Sequence, residues 1–495
     1  MDDFSRRVFL QSATAAQAPV AARPNVLVIM FDQWRFDCLG ANGNPLIKTP
    51  NLDRLAARSL RCTNTFVQAP VCVPSRISYL TGRYPHCHKN RVNYTPYRGA
   101  EPMLQSLLQG AGYKTGSVGK LHFWPGTNAH ARTTGFDMVQ LDDGIPRTDK
   151  FSDYVTWRRR NDPQAQLVHY NETEKGQGNP FRAKIDRQYT PTAWTGLETR
   201  RMLRELAGGA APFFLFSSFF KPHAPYTVPA PFDSLYNGVE IPLPRAVDLA
   251  YIRSLPQPVQ RMILRFKPAY DTDRALLQWM WRSYYAGVTM LDEEAGLILD
   301  ELEKTGKADN TAVFVLSDHG DQMLEHGLFG KNVFFEDSVR VPMLVHAPGR
   351  VAAGVRTELT EAIDVLPTIL EMCGVAVPEH VQGQSFLRGG GREMVFCENI
   401  MPEVITNGGT GYPWAPGKGI DGIRHPDAKM VRTERWKLNY YPGNGGELYD
   451  LANDPGEWNN LYAKEPGRVA ELKGALLDWM ATADENGQIA RHWEI

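Results

Sequence analysis

Six consecutive apolar residues, Val26-Leu27-Val28-Ile29-Met30-Phe31, follow Pro24-Asn25 near the start of the chain. A strand whose apolar residues run on without alternation is covered on both faces, as in a parallel sheet. Asp32-Gln33 closes this run, and open α/β sheets place their ligands at such C-terminal strand ends. The pattern then predicts a helix over 51–60, a short strand over 63–67, a helix just after Cys72, an amphipathic helix over 101–110 and a strand over 114–118. Residues 125–210 lose periodicity, carry Arg158-Arg159-Arg160 and are predicted as an irregular insertion over one sheet edge. A dense apolar strand is predicted over 212–220, running into Lys221-Pro222-His223-Ala224-Pro225. Leu276, Met280, Tyr284, Leu291, Ile298 and Leu302 recur at helical spacing, predicting a helix over 274–304 with Gly306 as its cap. Strands over 311–316 and 341–346 and a helix over 361–373 follow, the first strand running into Ser317-Asp318-His319-Gly320.

Strands alternate with helices throughout, which predicts an α/β class with a largely parallel central sheet flanked by helices. Gly389-Gly390-Gly391 marks a joint. Beyond it, short strands over 429–432, 436–441 and 446–449 and a closing helix over 469–481 predict a smaller α+β domain with an antiparallel sheet. The expected division is a tail over 1–23, an α/β domain over 24–388 and an antiparallel-sheet subdomain over 392–495.

Composition narrows the class. The 495 residues bear a formal net charge of −1, with 43% hydrophobic and 22% charged residues. That is ordinary for a globular protein and argues against a nucleic-acid or polyanion binder. No apolar run approaches a membrane span. Cys38, Cys62, Cys72, Cys87, Cys373 and Cys397 are scattered without a CxxC pair. This argues against a zinc ribbon or a disulfide scaffold and leaves a single disulfide open. Ser5-Arg6-Arg7-Val8-Phe9-Leu10, with Ala21-Ala22 downstream, resembles a twin-arginine export leader. The expected location is therefore the periplasm, with a disordered tail on a cytoplasmic protein as the alternative. Asn171-Glu172-Thr173 fits a glycosylation sequon, which carries no weight beside a bacterial-style leader.

The candidate chemistry centres on Val71-Cys72-Val73-Pro74-Ser75-Arg76, continued by Leu80-Thr81-Gly82. Pro74 suits a first helical turn, because the N–H it lacks is an orphan donor there. The positive end of the helix would then face the Cys72 side chain, and Arg76 follows one turn later on the same side. The result is a nucleophile in a site built for an anion. Asp32-Gln33 and Asp318-His319 stand at two further strand ends. Carboxylates, one carbonyl oxygen and one imidazole suit a divalent cation. Taken singly, a lone cysteine is usually a buried small hydrophobe and an Asp after a strand is usually a turn residue. Their joint placement makes a site.

This signature resembles that of the sulfatases of the alkaline-phosphatase superfamily, and the resemblance covers most of the chain. Asp32-Gln33, Lys120-Leu121-His122, Pro222-His223-Ala224-Pro225, Asp318-His319-Gly320, Gly330-Lys331 and Glu447-Leu448-Tyr449-Asp450-Leu451 with Asp454-Pro455 match further family motifs in order. The resemblance implies an alkaline-phosphatase-like fold and a sulfuric ester hydrolase. It implies that a formylglycine-generating maturase converts Cys72 to formylglycine (3-oxoalanine), whose hydrate is the nucleophile. The family's metal ligands fall on Asp32, Asp318, His319 and the oxidised Cys72, with Gln33 as a further oxygen donor. Ca²⁺ stands first, with Mg²⁺ or Mn²⁺ as alternatives. By the same analogy Asp318 takes the proton of the attacking hydroxyl. Arg76, Lys120 and Lys331 neutralise the sulfuryl oxygens, His223 with Lys331 protonates the leaving alkoxide, and His122 serves the second hydroxyl of the hydrate. His86, His88, His130 and His326 match no family position.

Two departures stand out. Val71 replaces a frequent leucine. Gln33 replaces a second acidic ligand, a form shared with choline sulfatases and phosphonate monoester hydrolases. That keeps a phosphonate monoester or phosphodiester hydrolase as an alternative. Ser75 before the motif arginine and the Lys120-x-His122 pair speak against it. A non-catalytic sulfoglycan-binding relative is the alternative from another class. The expected partner is a sulfated small molecule or glycan. Specificity is expected from 125–210 and from the 401–426 loop with Tyr412, Trp414 and His425. The sequence leaves the oligomeric state open.

Overall fold

A computed structural model describes residues 23–93, 97, 101–123, 128–143, 152–165, 172–174, 178–270, 273–400 and 427–483. The leader residues, Asn171 of the sequon and the 401–426 loop lie outside the described residues. A nine-stranded sheet forms the centre. Its strands are β1 (Asn25–Asp32), β2 (Leu60–Phe66), β3 (Lys114–Gly119), β4 (Met138–Leu141), β5 (Phe213–Pro222), β6 (Thr311–Ser317), β7 (Arg340–His346), β8 (Gly354–Arg356) and β9 (Thr360–Glu361). Their order is β4-β3-β5-β1-β6-β7-β2-β8, and β9 also pairs with β2.

β1 lies between β5 and β6, parallel to both, with Val28 opposite Phe216 and Phe314. All eight of its residues are buried. Val26, Val28 and Met30 join one apolar cluster with Phe214, Phe216 and Phe314, while Leu27, Ile29 and Phe31 join another with Leu215, Val313 and Val315. Each face has its own helical cover, which is why the run shows no alternation. Val73, Ile77 and Leu80 of the Cys72–Thr81 helix and Leu366 and Ile369 of the Val365–Met372 helix cover the first face. Leu203 and Leu206 of the Pro191–Ala207 helix and Val288, Leu291 and Ile298 of the Arg274–Lys304 helix cover the second. Burying each such Leu, Ile or Phe contributes about 1.5–3 kcal/mol relative to leaving it in water.

The sheet departs from a purely parallel one at β7, which is antiparallel to both β6 and β2. The 318–339 segment returns the chain to the edge it has just left, so no crossover helix carries it across. The predicted helix over 51–60 is shorter, Pro50–Ala56, because Leu60 already pairs with Val345. The segment expected to be irregular supplies the edge strand β4, the Asp153–Asn161 helix and the 17-residue Pro191–Ala207 helix. The last of these carries a legible start: Pro191 at its first turn, with Thr190 Oγ1 accepting from Ala193 N at 3.2 Å.

The C-terminal sheet is antiparallel, in the order β10 (Val395–Ile400), β11 (Asp427–Arg432), β12 (Trp436–Tyr440), β13 (Gly446–Asp450). β10 has no counterpart in the predicted elements. The Pro466–Ala483 helix packs Leu472, Leu476 and Trp479 on Val431, Leu438 and Leu448, and Tyr84 and Ile363 share that cluster. No described helix is long and apolar enough to cross a membrane. All six cysteines are free and buried, which closes the question of a disulfide.

Candidate active site

Four parallel strands deliver the site from one edge of the sheet. Asp32 ends β1, Lys120 follows β3, His223 follows β5, and Asp318-His319 follow β6. Lys331 comes from the loop between β6 and β7, and Cys72 is the first residue of its helix. Two residues here hold left-handed backbone without being glycine, Gln33 at φ 67° and His122 at φ 60°. Such strain persists only where the surroundings over-determine it. Gly119 takes φ 86°, and a Cβ there would lie 2.0 Å from the Ser218 carbonyl oxygen. That close approach lets β3 end against β5 and aims Lys120 inward.

The Cys72 Sγ is 1% exposed at the residue level and lies 3.2 Å from His319 Nε2, 2.9 Å from Lys331 Nζ, and 3.8 Å from both Lys120 Nζ and Asp32 Oδ1. Arg76 Nε donates to Asp318 Oδ2 at 2.8 Å and Nη2 to Asp32 Oδ2 at 3.4 Å. Lys120 Nζ also donates to Asp32 Oδ2. Both carboxylates therefore spend Oδ2 on cations and turn Oδ1 towards His319 Nε2, at 3.9 Å for Asp32 and 3.6 Å for Asp318. His319 Nδ1 lies 2.9 Å from the Gly320 carbonyl oxygen. A carbonyl only accepts, so Nδ1 carries a proton, and Nε2 faces both carboxylates and the Cys72 sulfur.

Electrostatics follow from this crowding. Burial pushes the Cys72 thiol up, but Lys120, Lys331 and His319 outweigh it and hold it well below the usual thiol range. Burial acts against the ionised Asp32 too, yet Lys120 and Lys331 keep it below the carboxylate range. Burial opposes the charge on Lys331, and Cys72, Asp32 and Asp318 restore it, raising its pKa. His223 is lowered by burial and by Lys331.

The structure brings Asp32, Gln33, Cys72, Arg76, Lys120, His122, His223, Asp318, His319 and Lys331 together. Two expectations change in detail. Pro74 is the third helical residue, and the Val73 N–H donates to Asn93 Oδ1 at 3.0 Å instead of facing Cys72. Arg76 is spent on protein groups: besides the two carboxylates, its Nη1 donates to the Lys120 carbonyl at 2.8 Å and to Ser218 Oγ at 2.7 Å. His122 is held through its backbone N–H, which donates to Asp143 Oδ1 at 2.8 Å, and its side chain lies beside Cys72 and helps to lower the thiol pKa. Ser75, named in the motif without a role, donates from its Oγ to the Asp318 carbonyl at 2.5 Å; the sequence reading missed Ser218, Asp143 and Asp321. Asp321 alone had an accessible signal, its place three residues beyond Asp318 in the same strand-end turn.

The donor set fits a divalent cation. The ligand atoms of Asp32, Cys72, Asp318 and His319 lie within 4.8 Å of one another, and all four residues are buried. Two carboxylate oxygens, a sulfur and an imidazole nitrogen converging on one point repel one another unless a proton or a metal ion sits among them.

Known proteins resemble this chain. The sulfatase family model matches residues 24–375. An arylsulfatase of Clostridium perfringens is 29% identical over 94% of this chain and 95% of its own length. A choline-sulfatase of Rhizobium meliloti is 28% identical over 90% of this chain and 84% of its own. Among solved structures, a phosphonate monoester hydrolase of Agrobacterium radiobacter superposes with a TM-score of 0.80 at 26% identity, covering 93% of this chain and 96% of its own. With its alkaline-phosphatase-like sheet and family match across most of its length, the chain belongs to the sulfatase family and is an enzyme, a sulfatase that hydrolyses sulfuric esters.

Proposed function

We propose that the enzyme acts on a sulfated small molecule or glycan with formylglycine, made from Cys72 by a maturase, as its nucleophile. The Cys72 Sγ of this structure stands in for one oxygen of the aldehyde hydrate. Asp32, Asp318, His319 and the matured residue 72 would hold Ca²⁺, with Gln33 Oε1 as a further donor. The bound cation supplies Lewis-acid stabilisation of the sulfuryl oxygens and of the nucleophile. The matured residue supplies a second hydroxyl, through which the covalent sulfate is released.

The chain's own residues supply the rest. Lys120 and Lys331 flank the Sγ position and neutralise charge that gathers on the transferred group. Arg76 fixes the orientation of the Asp32 and Asp318 carboxylates. His122, beside position 72, takes a proton there as sulfate leaves. His223 protonates the leaving alkoxide. Burial and Lys331 keep its imidazole neutral in the free enzyme, and an anionic ester beside Lys331 restores its proton. Export through the twin-arginine-like leader to the periplasm is part of the same reading.

The observation that carries this proposal is the Cys72 Sγ set 2.9 Å from Lys331 Nζ and 3.2 Å from His319 Nε2, inside the carboxylate group. Mass spectrometry across 71–76, on protein made with a formylglycine-generating enzyme, tests the nucleophile. Loss of the thiol in favour of an aldehyde is expected. An unmodified Cys72 would overturn the maturation. The structural likeness to a phosphonate monoester hydrolase supplies the second reading, so aryl sulfate and aryl phosphonate esters are assayed in parallel. The sulfate is expected to turn over faster, and a dominant phosphonate rate would move the second reading to the front.

A further inference from the structure

Gln33 lies between two groups of opposite hydrogen-bonding character. Its Oε1 accepts from Lys331 Nζ at 2.9 Å, and its Nε2 donates to Asp321 Oδ2 at 2.5 Å. An ammonium only donates and an ionised carboxylate only accepts, so one orientation of the carboxamide satisfies both. Asp321 is fully buried and itself held from several sides. Tyr226 OH donates to Oδ2 at 2.6 Å, the Met323 N–H to Oδ1 at 3.1 Å, and Arg35 Nη1 to the Asp321 carbonyl at 2.8 Å. The Gln33 backbone is clamped as well: its N–H donates to Asp318 Oδ1 at 2.9 Å, and its carbonyl accepts from Tyr284 OH at 2.8 Å.

We propose that Asp321 is a positioning residue that orients Gln33, holding Nε2 outward so that oxygen, not nitrogen, faces Lys331 and the cation site. The inference rests on the sulfatase reading with its divalent cation. Gln33 and Asp321 then form one unit. Gln33→Glu would set two carboxylates against each other at the 2.5 Å contact, although it adds a charge the cation would welcome. Asp321→Asn keeps the shape but must satisfy the Met323 N–H with its carbonyl oxygen. Its amide then meets the Gln33 amide, donor against donor, and Gln33 turns its oxygen outward. Combining the two restores a donor facing an acceptor and conserves the charge of the pair.

The test is calorimetric titration of the metal-free protein with calcium at pH 8, with metal-free melting curves as fold controls and kcat/KM on an aryl sulfate. Each single variant is expected to bind calcium about 10- to 100-fold more weakly, the usual cost of disturbing a group behind a metal ligand. The double variant is expected to regain most of that loss. A merely structural Asp321 would not produce this reversal, because two damaging changes would add. Calcium binding by Asp321→Asn as tight as wild type, a double variant no better than the weaker single, or no calcium binding by wild type would each overturn the proposal. If Asp321→Asn does not fold, Gln33→Glu decides alone: weaker binding supports the proposal, and equal or tighter binding overturns it. The calcium measurement needs no turnover. The expected affinities without sulfate-ester hydrolysis would therefore fail the functional reading alone, whereas hydrolysis with unaltered affinities would fail this inference alone.

Discussion

Arg76→Lys separates two roles for the motif arginine. The family resemblance sets Arg76 on the substrate, whereas the geometry sets it on Asp318, Asp32, Ser218 and the Lys120 carbonyl. Arg76 is 1% exposed, so none of these acceptors is compensated by water. A lysine ammonium lacks the planar fork and can replace one or two of the four contacts. Each bond involving a charged group contributes about 1.5–3 kcal/mol. Two of the four contacts are to the carboxylates; if the ammonium keeps one of them, the loss there is one such bond, about 1.5–3 kcal/mol, or about 10- to 150-fold at 1.36 kcal/mol per decade. The loss is expected in calcium affinity and kcat, because the freed carboxylates are the proposed cation ligands. Global melting should move little. At about 2.1 cal/mol/K per residue the unfolding entropy of such a chain is about 1 kcal/mol/K, so the shift is about 1.5–3 °C. Calorimetric calcium titration and steady-state kinetics on an aryl sulfate provide the assay. An unchanged calcium Kd with a KM raised about 10-fold or more would refute the reasoning and return Arg76 to the substrate.

Other consequences are accessible to simpler measurements. In protein made without the maturase, Lys331→Ala should raise the Cys72 thiol pKa, because it removes the cation 2.9 Å from Sγ; thiolate absorbance against pH reads this directly, and an unmoved curve would refute it. Gly119→Ala combines φ 86° with a Cβ 2.0 Å from the Ser218 carbonyl; it should cost about 1–3 kcal/mol or more in urea unfolding and lower kcat by displacing Lys120. Burial pushes the His88 imidazole down to about 3, with its Nε2 3.0 Å from Ser78 Oγ. A lowered folded pKa means that its stability is present above the unfolded value of about 6.5 and lost as pH falls towards 3, with a slope approaching about 1.4 kcal/mol per pH unit. His88→Gln should flatten the urea midpoint across that window, and an unchanged slope would rule this group out as a source of acid sensitivity.

Much of the architecture was legible because burial on both faces leaves an unmistakable run, as in 26–31, 213–216 and 311–316. The Arg274–Lys304 helix was legible at both ends, since its apolar spacing persists over many turns. The Pro191–Ala207 helix was not, because small and polar residues such as Gly196 and Thr199 lie on its buried side and dilute the pattern. Gly196 accommodates Glu294, which would sit 2.0 Å from a Cβ there. The direction of β7 was hidden as well. A strand flanked by two neighbours has the same composition whichever way it runs, and only the route of the 318–339 segment decides it.

The chemistry divides along the same line. The residue types of the site, its nucleophile and the strand ends that carry them are properties of the sequence, because motif order and apolar runs are local. What each group does with its hydrogen bonds is not local. Arg76 meets Asp318 across 242 residues, Lys331 meets Gln33 across 298, and Asp321 meets Gln33 across 288. Only tertiary structure decides those meetings, because a buried charge takes whichever counter-group the converging strand ends bring within reach.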